Sequence, residues 1–307
     1  KRDGSDFTAS IFGKMLKAIG ITIWTDVSGV YSADPRRVPE ATIIPTVAYT
    51  EAIELAYFGA KVIHPKTMTP AIMANIPIYI RNTFEPLHPG TCITSPKEKG
   101  HMLREKSVCG FTTVDNIALL NLEGTGMMGV PGISHRLFGA LKSSNISVMF
   151  IAQASSEQSI CFAITSNQVE VARAAVEEAF FYEFRQNLVS TLSVINDCSI
   201  IAAVGEKMNH LPGVAGLFFG ALGDARVNII AISQGCDERN ISAVVYSKDA
   251  SRALRTVHSA FNLSTLQISI GVIGIGRLGS AFIQSLLEQQ LLFIKKLGVK
   301  IQIKCLM

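Results

Sequence analysis

Val130-Pro-Gly-Ile133 and Leu211-Pro-Gly-Val214 decide the reading of this chain, because a shift of 81 residues lays the first on the second. The same shift places Phe138-Gly-Ala-Leu141 on Phe219-Gly-Ala-Leu222 and Ile151-Ala-Gln153 on Ile232-Ser-Gln234. It also matches Glu157 with Glu238, Ile160 with Ile241 and Phe180 with Phe261, without a gap. Chance likeness does not hold one register over about sixty residues, so the middle of the chain is an internal repeat.

Within copy one, residues 117–123 form an apolar strand, and Pro131-Gly132 opens a helix to about Ser144. Residues 146–152 and 160–165 are β-rich runs joined by the polar turn Ser155-Ser-Glu-Gln158. A second helix over 169–181 carries Val169, Ala172, Val176 and Phe180 at helical spacing. A final strand at 191–195 completes a ferredoxin-like βαββαβ unit. The partner of that last strand in copy two falls near 272–276, inside a glycine-rich motif. The nearest spare strand is 108–114, ahead of copy one. Copy one is therefore expected to be inserted into copy two, and the pair to fold as one interlocked domain.

In both copies a Pro-Gly loop precedes the first helix and the second strand ends in glutamine. Free N–H groups at a helix start accept a carboxylate, and a side-chain amide beside them both donates and accepts. Taken singly, Gln153 or Gln234 reads better as an exposed strand-end polar group, and Pro-Gly as turn chemistry. Their equivalent placement in one register favours contact with a small ligand.

Ahead of the repeat, Arg2-Asp-Gly-Ser-Asp6 leads into a helix over about 7–19, which Gly20 stops. Ser5 and Asp6 are either ordinary caps or holders of a substrate ammonium, with Arg2 gripping a carboxylate as a planar fork. Ile21-Thr-Ile-Trp-Thr-Asp26 is an apolar strand ending in a polar pair, followed by Val27-Ser-Gly-Val-Tyr31 and Asp34-Pro-Arg36. Polar residues and a glycine loop after a strand's carboxyl end suit nucleotide binding in an α/β sheet. After a helix beginning near Thr50, Phe58-Gly-Ala-Lys-Val-Ile-His-Pro65 offers Lys61 either to phosphate or to solvent.

Behind the repeat, Ser269-Ile-Gly-Val-Ile-Gly274 is an apolar strand. Gly274-Ile-Gly-Arg-Leu-Gly279 fits the G-x-G-x-x-G pattern through Gly274, Gly276 and Gly279. A helix over about 280–296 follows, with Lys295 and Lys296 in its last turn, Gly298 beyond it and a second strand from Val299. Strand, motif, helix and strand in that order are the context a dinucleotide fold requires. The residue that separates NAD from NADP would come after the second strand.

Bulk properties exclude several classes. Of 307 residues, 48% are hydrophobic and 17% charged, the balance of a core-forming chain. A net charge of +4 is too even to argue for nucleic acid or an anionic membrane surface. No run approaches the roughly 18 apolar residues of a membrane span, so the chain reads as soluble. Cys92, Cys109, Cys161, Cys198, Cys236 and Cys305 are scattered, which points to reduced thiols and no metal site. The chain begins on Lys1 inside a motif and stops at Met307 on a strand-like run, so both ends are expected to be cut.

Arg2–Asp6, the stretch from Ile23 through Tyr31, Asp34-Pro-Arg36 and Phe58–Pro65 together resemble the carboxyl-terminal half of aspartate kinase, and the repeat resembles paired ACT domains, which sense amino acids. With the glycine-rich βαβ behind them, the chain resembles the bifunctional aspartate kinase–homoserine dehydrogenases of plants and bacteria. That resemblance implies mixed α/β and α+β architecture. Residues 1–98 would be the carboxyl-terminal part of an amino-acid-kinase sheet, and 107–195 the first ACT domain, with 107–114 a strand of the second. The second ACT domain would be 196–265, and 268–307 the first βαβ of a Rossmann fold. It further implies aspartate at Arg2, Ser5 and Asp6, and ATP with Mg at Thr25, Asp26, Tyr31, Arg36 and Lys61. Threonine, as feedback inhibitor, would sit at Ile151, Gln153, Ile232 and Gln234, and NADP or NAD at Gly274, Gly276 and Gly279. A homodimer or higher homo-oligomer, amino-acid biosynthesis and a plastid location come by the same route. Two departures stand out: Asp3 adds a carboxylate beside the substrate loop, and the family's Lys-Phe-Gly-Gly phosphate segment is not in this chain. With half a kinase site the chain alone is expected to be nearly inactive. A lysine-sensitive monofunctional aspartate kinase and a purely regulatory amino-acid-binding piece are the competing readings.

Overall fold

The structure, a computed structural model, describes residues 4–59, 64–95, 107–153, 158–190, 192–208, 210–261, 263, 266–297 and 299–306. The first segment holds α1 (Gly4–Met15), β1 (Ile21–Thr25), β2 (Thr46–Ala48), α2 (Tyr49–Tyr57), α3 (Pro65–Met73), β3 (Ile78–Asn82) and β4 (Thr91–Thr94). The repeat holds β5 (Gly110–Glu123), α4 (Ile133–Ser143), β6 (Phe150–Gln153), β7 (Ser159–Thr165), α5 (Val169–Ala179) and α6 (Phe181–Arg185). It continues through β8 (Ser193–Val204), α7 (Val214–Asp224), β9 (Ile229–Gln234), β10 (Asn240–Tyr246) and α8 (Ser247–Ala260). The last segment is β11 (Leu266–Val272), α9 (Arg277–Leu297) and β12 (Val299–Leu306).

The repeat builds one six-stranded sheet in the order β6-β7-β5-β8-β10-β9. Two long strands, β5 and β8, run antiparallel through its centre and serve both copies. Copy one uses Ile117–Glu123 of β5 against β7, and the start of β8, where Val194 faces Leu120. Copy two uses the end of β8 against β10, with Gly110 to Val114 of β5 on its other side, paired from Val204 to Ile200. The fourth strand of copy two therefore comes from residues ahead of copy one.

Each long strand changes unit at a residue in the left-handed region, Asn116 (φ 57°) in β5 and Asp197 (φ 54°) in β8. Asn and Asp tolerate that conformation better than other side chains, and here it accompanies the slip in strand register. The two are again 81 residues apart. The same shift relates Gly129 to His210, Gly132 to Gly213 and Asn145 to Arg226, all with positive φ. The backbone repeats even where the side chains do not.

Alternation along the central strands sends side chains to two faces. Ala118, Leu120 and Leu122 pack under α4 and α5, while Ile201 and Ala203 pack under α7 and α8. On the opposite face Ile117, Leu119, Phe150, Cys198, Ile200 and Val244 form a shared cluster that also receives Phe58 from the first segment. The sheet edges β6 and β9 approach each other, so this face curves around the cluster.

Several boundaries differ from the sequence reading for local reasons. The runs at 108–114 and 117–123 merge into one strand, because the slip at Asn116 interrupts pairing without ending it. The first helix stops at Met15 because Lys17 turns left-handed (φ 51°) and Ala18 N–H closes back on Gly13. Strand β6 begins at Phe150 because Ile146 is still used to close α4, its N–H donating to Leu141. The strand expected at 191–195 starts at Ser193 and runs on to Val204. The turn 155–157 lies outside the described residues.

All six cysteines are free. Burial pushes the Cys161 thiol up to about 11 and raises that of Cys198, so both stay protonated in the sheet. Among the described residues no helix is long and apolar enough to cross a membrane, and no cluster of side chains could hold a metal ion.

Phe111, buried on the first half of β5, stacks with Phe218 of α7 and meets Phe261 edge-on. Phe111→Ala should cost about 3–5 kcal/mol of stability in denaturant unfolding, the usual cost of emptying a buried aromatic position. A change near zero would show that residues 107–114 are a linker and not part of copy two's core.

Candidate functional sites

The first segment forms a mixed sheet in the order β1-β3-β4-β2, with β1 and β3 parallel and Thr25 beside Asn82 at their carboxyl ends. Helix α1 packs against the start of β1, its Gly13 against the Ile21 side chain, and lies beside α3. Ser5 Oγ donates to Asp6 Oδ1 at 3.2 Å and Thr25 Oγ1 to Asp26 Oδ1 at 3.1 Å. Arg2 and Lys61 lie outside the described residues.

After Asp26 the chain makes a long loop. Asn82 Nδ2 donates to Ser28 Oγ at 2.9 Å, and Ser28 donates to Glu85 at 2.9 Å. Gly29 follows at φ 146°, and a Cβ there would lie 2.5 Å from Thr91 Oγ1 and 2.8 Å from a methyl of Ile43. Only glycine lets the loop pass so closely. Tyr31 then bridges to Ile43. Arg36 grips Asp34 with both arms, Nε at 3.0 Å and Nη2 at 2.8 Å, while 87% of the Arg36 side chain stays exposed. Its hydrogen bonds and charge hold the Asp34 carboxyl below the usual carboxylate range, against a smaller opposing effect of burial. To meet a nucleotide, Arg36 would have to share or leave that partner.

In copy one, Met127, Gly129, Pro131, Gly132, Ser134 and Gln153 line a cavity of about 350 Å3. Gly132 caps the amino end of α4 at φ 89°, with no side chain capping it, and its carbonyl takes the first helical bond from Arg136. Among the described residues no partner meets the N–H groups of the first turn, which suits them to a ligand. Copy two repeats the cap with Gly213 at φ 90°. It differs in having His210 at the place of Gly129 and Ala215 at that of Ser134. There His210 N–H donates to Glu238 at 2.6 Å, tying two loops together. Ile151 and Ile232 are both exposed on the edge strands, as are Gln153 and Gln234.

At the carboxyl end, β11 and β12 pair in parallel around α9. Gly274 takes φ 92°, and a Cβ on Gly279 would lie 1.9 Å from the Gly274 carbonyl. The first glycine makes the turn and the third lets the helix close on it. Gly276 accepts the first bond of the helix from Ser280. This backbone fits a pyrophosphate at the helix start.

The sequence reading missed the Asn82–Ser28–Glu85 chain, although a polar residue ending β3 beside Thr25 was the available signal. It also missed Ser134, which differs from its repeat partner and lines the cavity.

Residues 1–82 match the amino acid kinase family, and residues 120–180 and 201–261, themselves 81 residues apart, each match the ACT domain. Clostridium acetobutylicum aspartate kinase superposes with a TM-score of 0.76 at 29% identity, over 84% of this chain and 58% of its own. Escherichia coli aspartokinase III, in complex with aspartate and ADP, gives 0.70 at 29% identity, over 84% and 56%. The fold is that of an aspartate kinase: a kinase segment carrying two ACT domains. Bifunctional aspartokinase/homoserine dehydrogenase 2, chloroplastic, of Arabidopsis thaliana is 46% identical over 304 residues. That match takes in 99% of this chain, which spans about a third of the relative's length.

The Asp34–Arg36 pair sets a direction with pH. Because the folded carboxyl titrates below its unfolded value, the pair's contribution is present above the unfolded value and lost as pH falls through the folded one. An NMR titration should place Asp34 below an ordinary aspartate and return it toward the ordinary range in Arg36→Gln. An unmoved midpoint would contradict the pairing.

Proposed function

We propose that the whole protein is an aspartate kinase joined to a homoserine dehydrogenase and that the ACT pair binds threonine as feedback inhibitor. The cavity of copy one carries this reading, because it joins an uncapped helix start to the amide of Gln153. A free amino acid presents a carboxylate for the helix N–H groups and an ammonium for the amide oxygen. Ile151 and Ile232 flank the two glutamines as apolar contacts, and Gln234 with Gly213 offers the equivalent arrangement in copy two.

In the kinase segment Ser5 and Asp6 would receive aspartate, with Arg2 on its carboxylate. Thr25, Asp26, Tyr31 and Arg36 would hold ATP with its Mg, and Lys61 the phosphates. Phosphoryl transfer depends on charge positioned all around the γ-phosphate. The residues named here supply only part of that charge, so turnover by this chain alone is proposed to be almost nil. Gly274, Gly276 and Gly279 would hold the pyrophosphate of NADP or NAD, whose reduced form would supply the hydride that turns aspartate semialdehyde into homoserine. A plastid location, which the names of the plant relatives state for themselves, and a homodimer or higher homo-oligomer complete the proposal.

A lysine effector is the second reading. Aspartokinase III of similar fold was solved in complex with lysine and aspartate. Calorimetric titration of the chain with each amino acid separates the two. Threonine heat should appear, and Gln153→Ala should weaken it about 10-fold, the scale of a lost hydrogen bond to a charged group. Heat from lysine alone would replace threonine as effector. A coupled assay for aspartyl phosphate should read background, and clear turnover would contradict the proposed inactivity.

A further inference from the structure

The loop between Asp26 and Thr46 contains no helix or strand, so something else must hold it. Its neck is closed by Ser32 N–H donating to Thr42 at 2.8 Å and by Thr42 N–H donating to Ser32 Oγ at 3.0 Å. Under this neck lies His258 in the last turn of α8, its Nε2 2.8 Å from Ser32 Oγ. Both residues are buried, at 1% exposure for His258 and 2% for Ser32. The imidazole ring also meets Phe111 edge-on, and Phe111 N–H donates to the Ser32 carbonyl at 2.8 Å. One helical turn earlier, Arg255 Nε donates to the Arg37 carbonyl at 2.5 Å. Just after the helix, the Leu263 carbonyl accepts from Thr42 Oγ1 at 3.3 Å.

A buried histidine is often no more than core packing. The repeat supplies a control within the same chain. Shifted by 81 residues, His258, Arg255 and Leu263 fall on Glu177, Ala174 and Tyr182 of copy one. Glu177 faces solvent on α5, and copy one folds the same way without any of the three. What His258, Arg255 and Leu263 share is contact with the loop that carries Tyr31 and Arg36.

We propose that His258 is a positioning residue for the kinase segment's nucleotide loop, supplied by the second ACT unit through its hydrogen bond to Ser32. The inference rests on the reading of residues 25–36 as nucleotide-binding. Helix α8 belongs to the same unit as Gln234, so a shift of that unit reaches the nucleotide through the neck of the loop. Either hydrogen-bond polarity serves, because the Ser32 hydroxyl can donate to a bare Nε2 or accept from a protonated one while still taking the Thr42 N–H.

The test uses the full chain with two substitutions, His258→Leu, which fills the space without the bond, and His258→Gln, which restores a partner. Hydrogen exchange at the Ser32, Thr42 and Ile44 amides and binding of ADP with magnesium are read in each. In His258→Leu the loop amides should exchange about 10-fold faster and ADP bind about 10-fold more weakly, while β8 and β10 amides keep their protection. His258→Gln should recover most of both. Unchanged loop exchange or unchanged ADP affinity in a folded His258→Leu chain overturns the proposal. If that variant does not fold, His258→Phe, which keeps a ring beside Phe111 and leaves the Thr42 bond to Ser32 intact, takes its place with the same outcomes expected. Failure of the unaltered chain to bind ADP would count against the nucleotide reading, and the exchange comparison would still decide whether His258 holds the loop.

Discussion

The antiparallel pairing of β5 with β8 is the constraint on which the rest of this structure depends. Each strand gives half its length to each ACT unit, so neither copy owns a complete sheet. The slip at Asn116 and the turn at Asp197 let a single pair of strands serve two four-stranded patterns related by a pseudo-two-fold axis. Because side chains alternate along a strand, the same pairing assigns Leu120 and Ile201 to the helix side and Leu119 and Ile200 to the shared cluster. A one-residue error in register would turn both cores inside out.

That shared sheet also fixes where the kinase segment sits. Helix α2 lies on it, with buried Glu51 accepting from Ala48 N–H in its own cap and from Glu206 N–H in copy two, both at 3.0 Å. One turn further, Glu54 accepts from Asn240 at 2.9 Å, and Phe58 offers its carbonyl to Thr112. On the other flank Arg37 pairs with Asp115 at 2.6 Å, close to the slip at Asn116. Most of the polar ties between the kinase segment and the ACT pair thus end in copy two or in β5. Copy one, which holds the cavity at Gln153, reaches the kinase segment chiefly through the central strands and Phe58.

Much of this was legible in the sequence because repetition is a strong signal. An ungapped register of 81 residues located both units, both Pro-Gly caps and both glutamines. The want of a last strand in copy two pointed to 108–114 as a candidate. The union of that run with 117–123 was not legible, since Asp115-Asn116 reads as a break and only cross-strand pairing shows continuity. In the kinase segment the end of β1 and the glycine loop were readable, while α3, β3 and β4 passed unnoticed because short strands and a proline-containing helix carry weak periodicity. Long-range partners such as Ser32 with His258, 226 residues apart, leave no mark in local pattern. They become visible only when the fold brings them together.

The central claim is that the ACT pair is an amino-acid sensor built around an uncapped helix start and a strand-end amide. A crystal structure of the chain with threonine bound tests it most directly. The account predicts ligand density in the copy-one cavity, with the carboxylate at the N–H groups that follow Gly132 and the ammonium within hydrogen-bond reach of Gln153. An empty cavity at saturating threonine, or density at another place on the sheet, would contradict it.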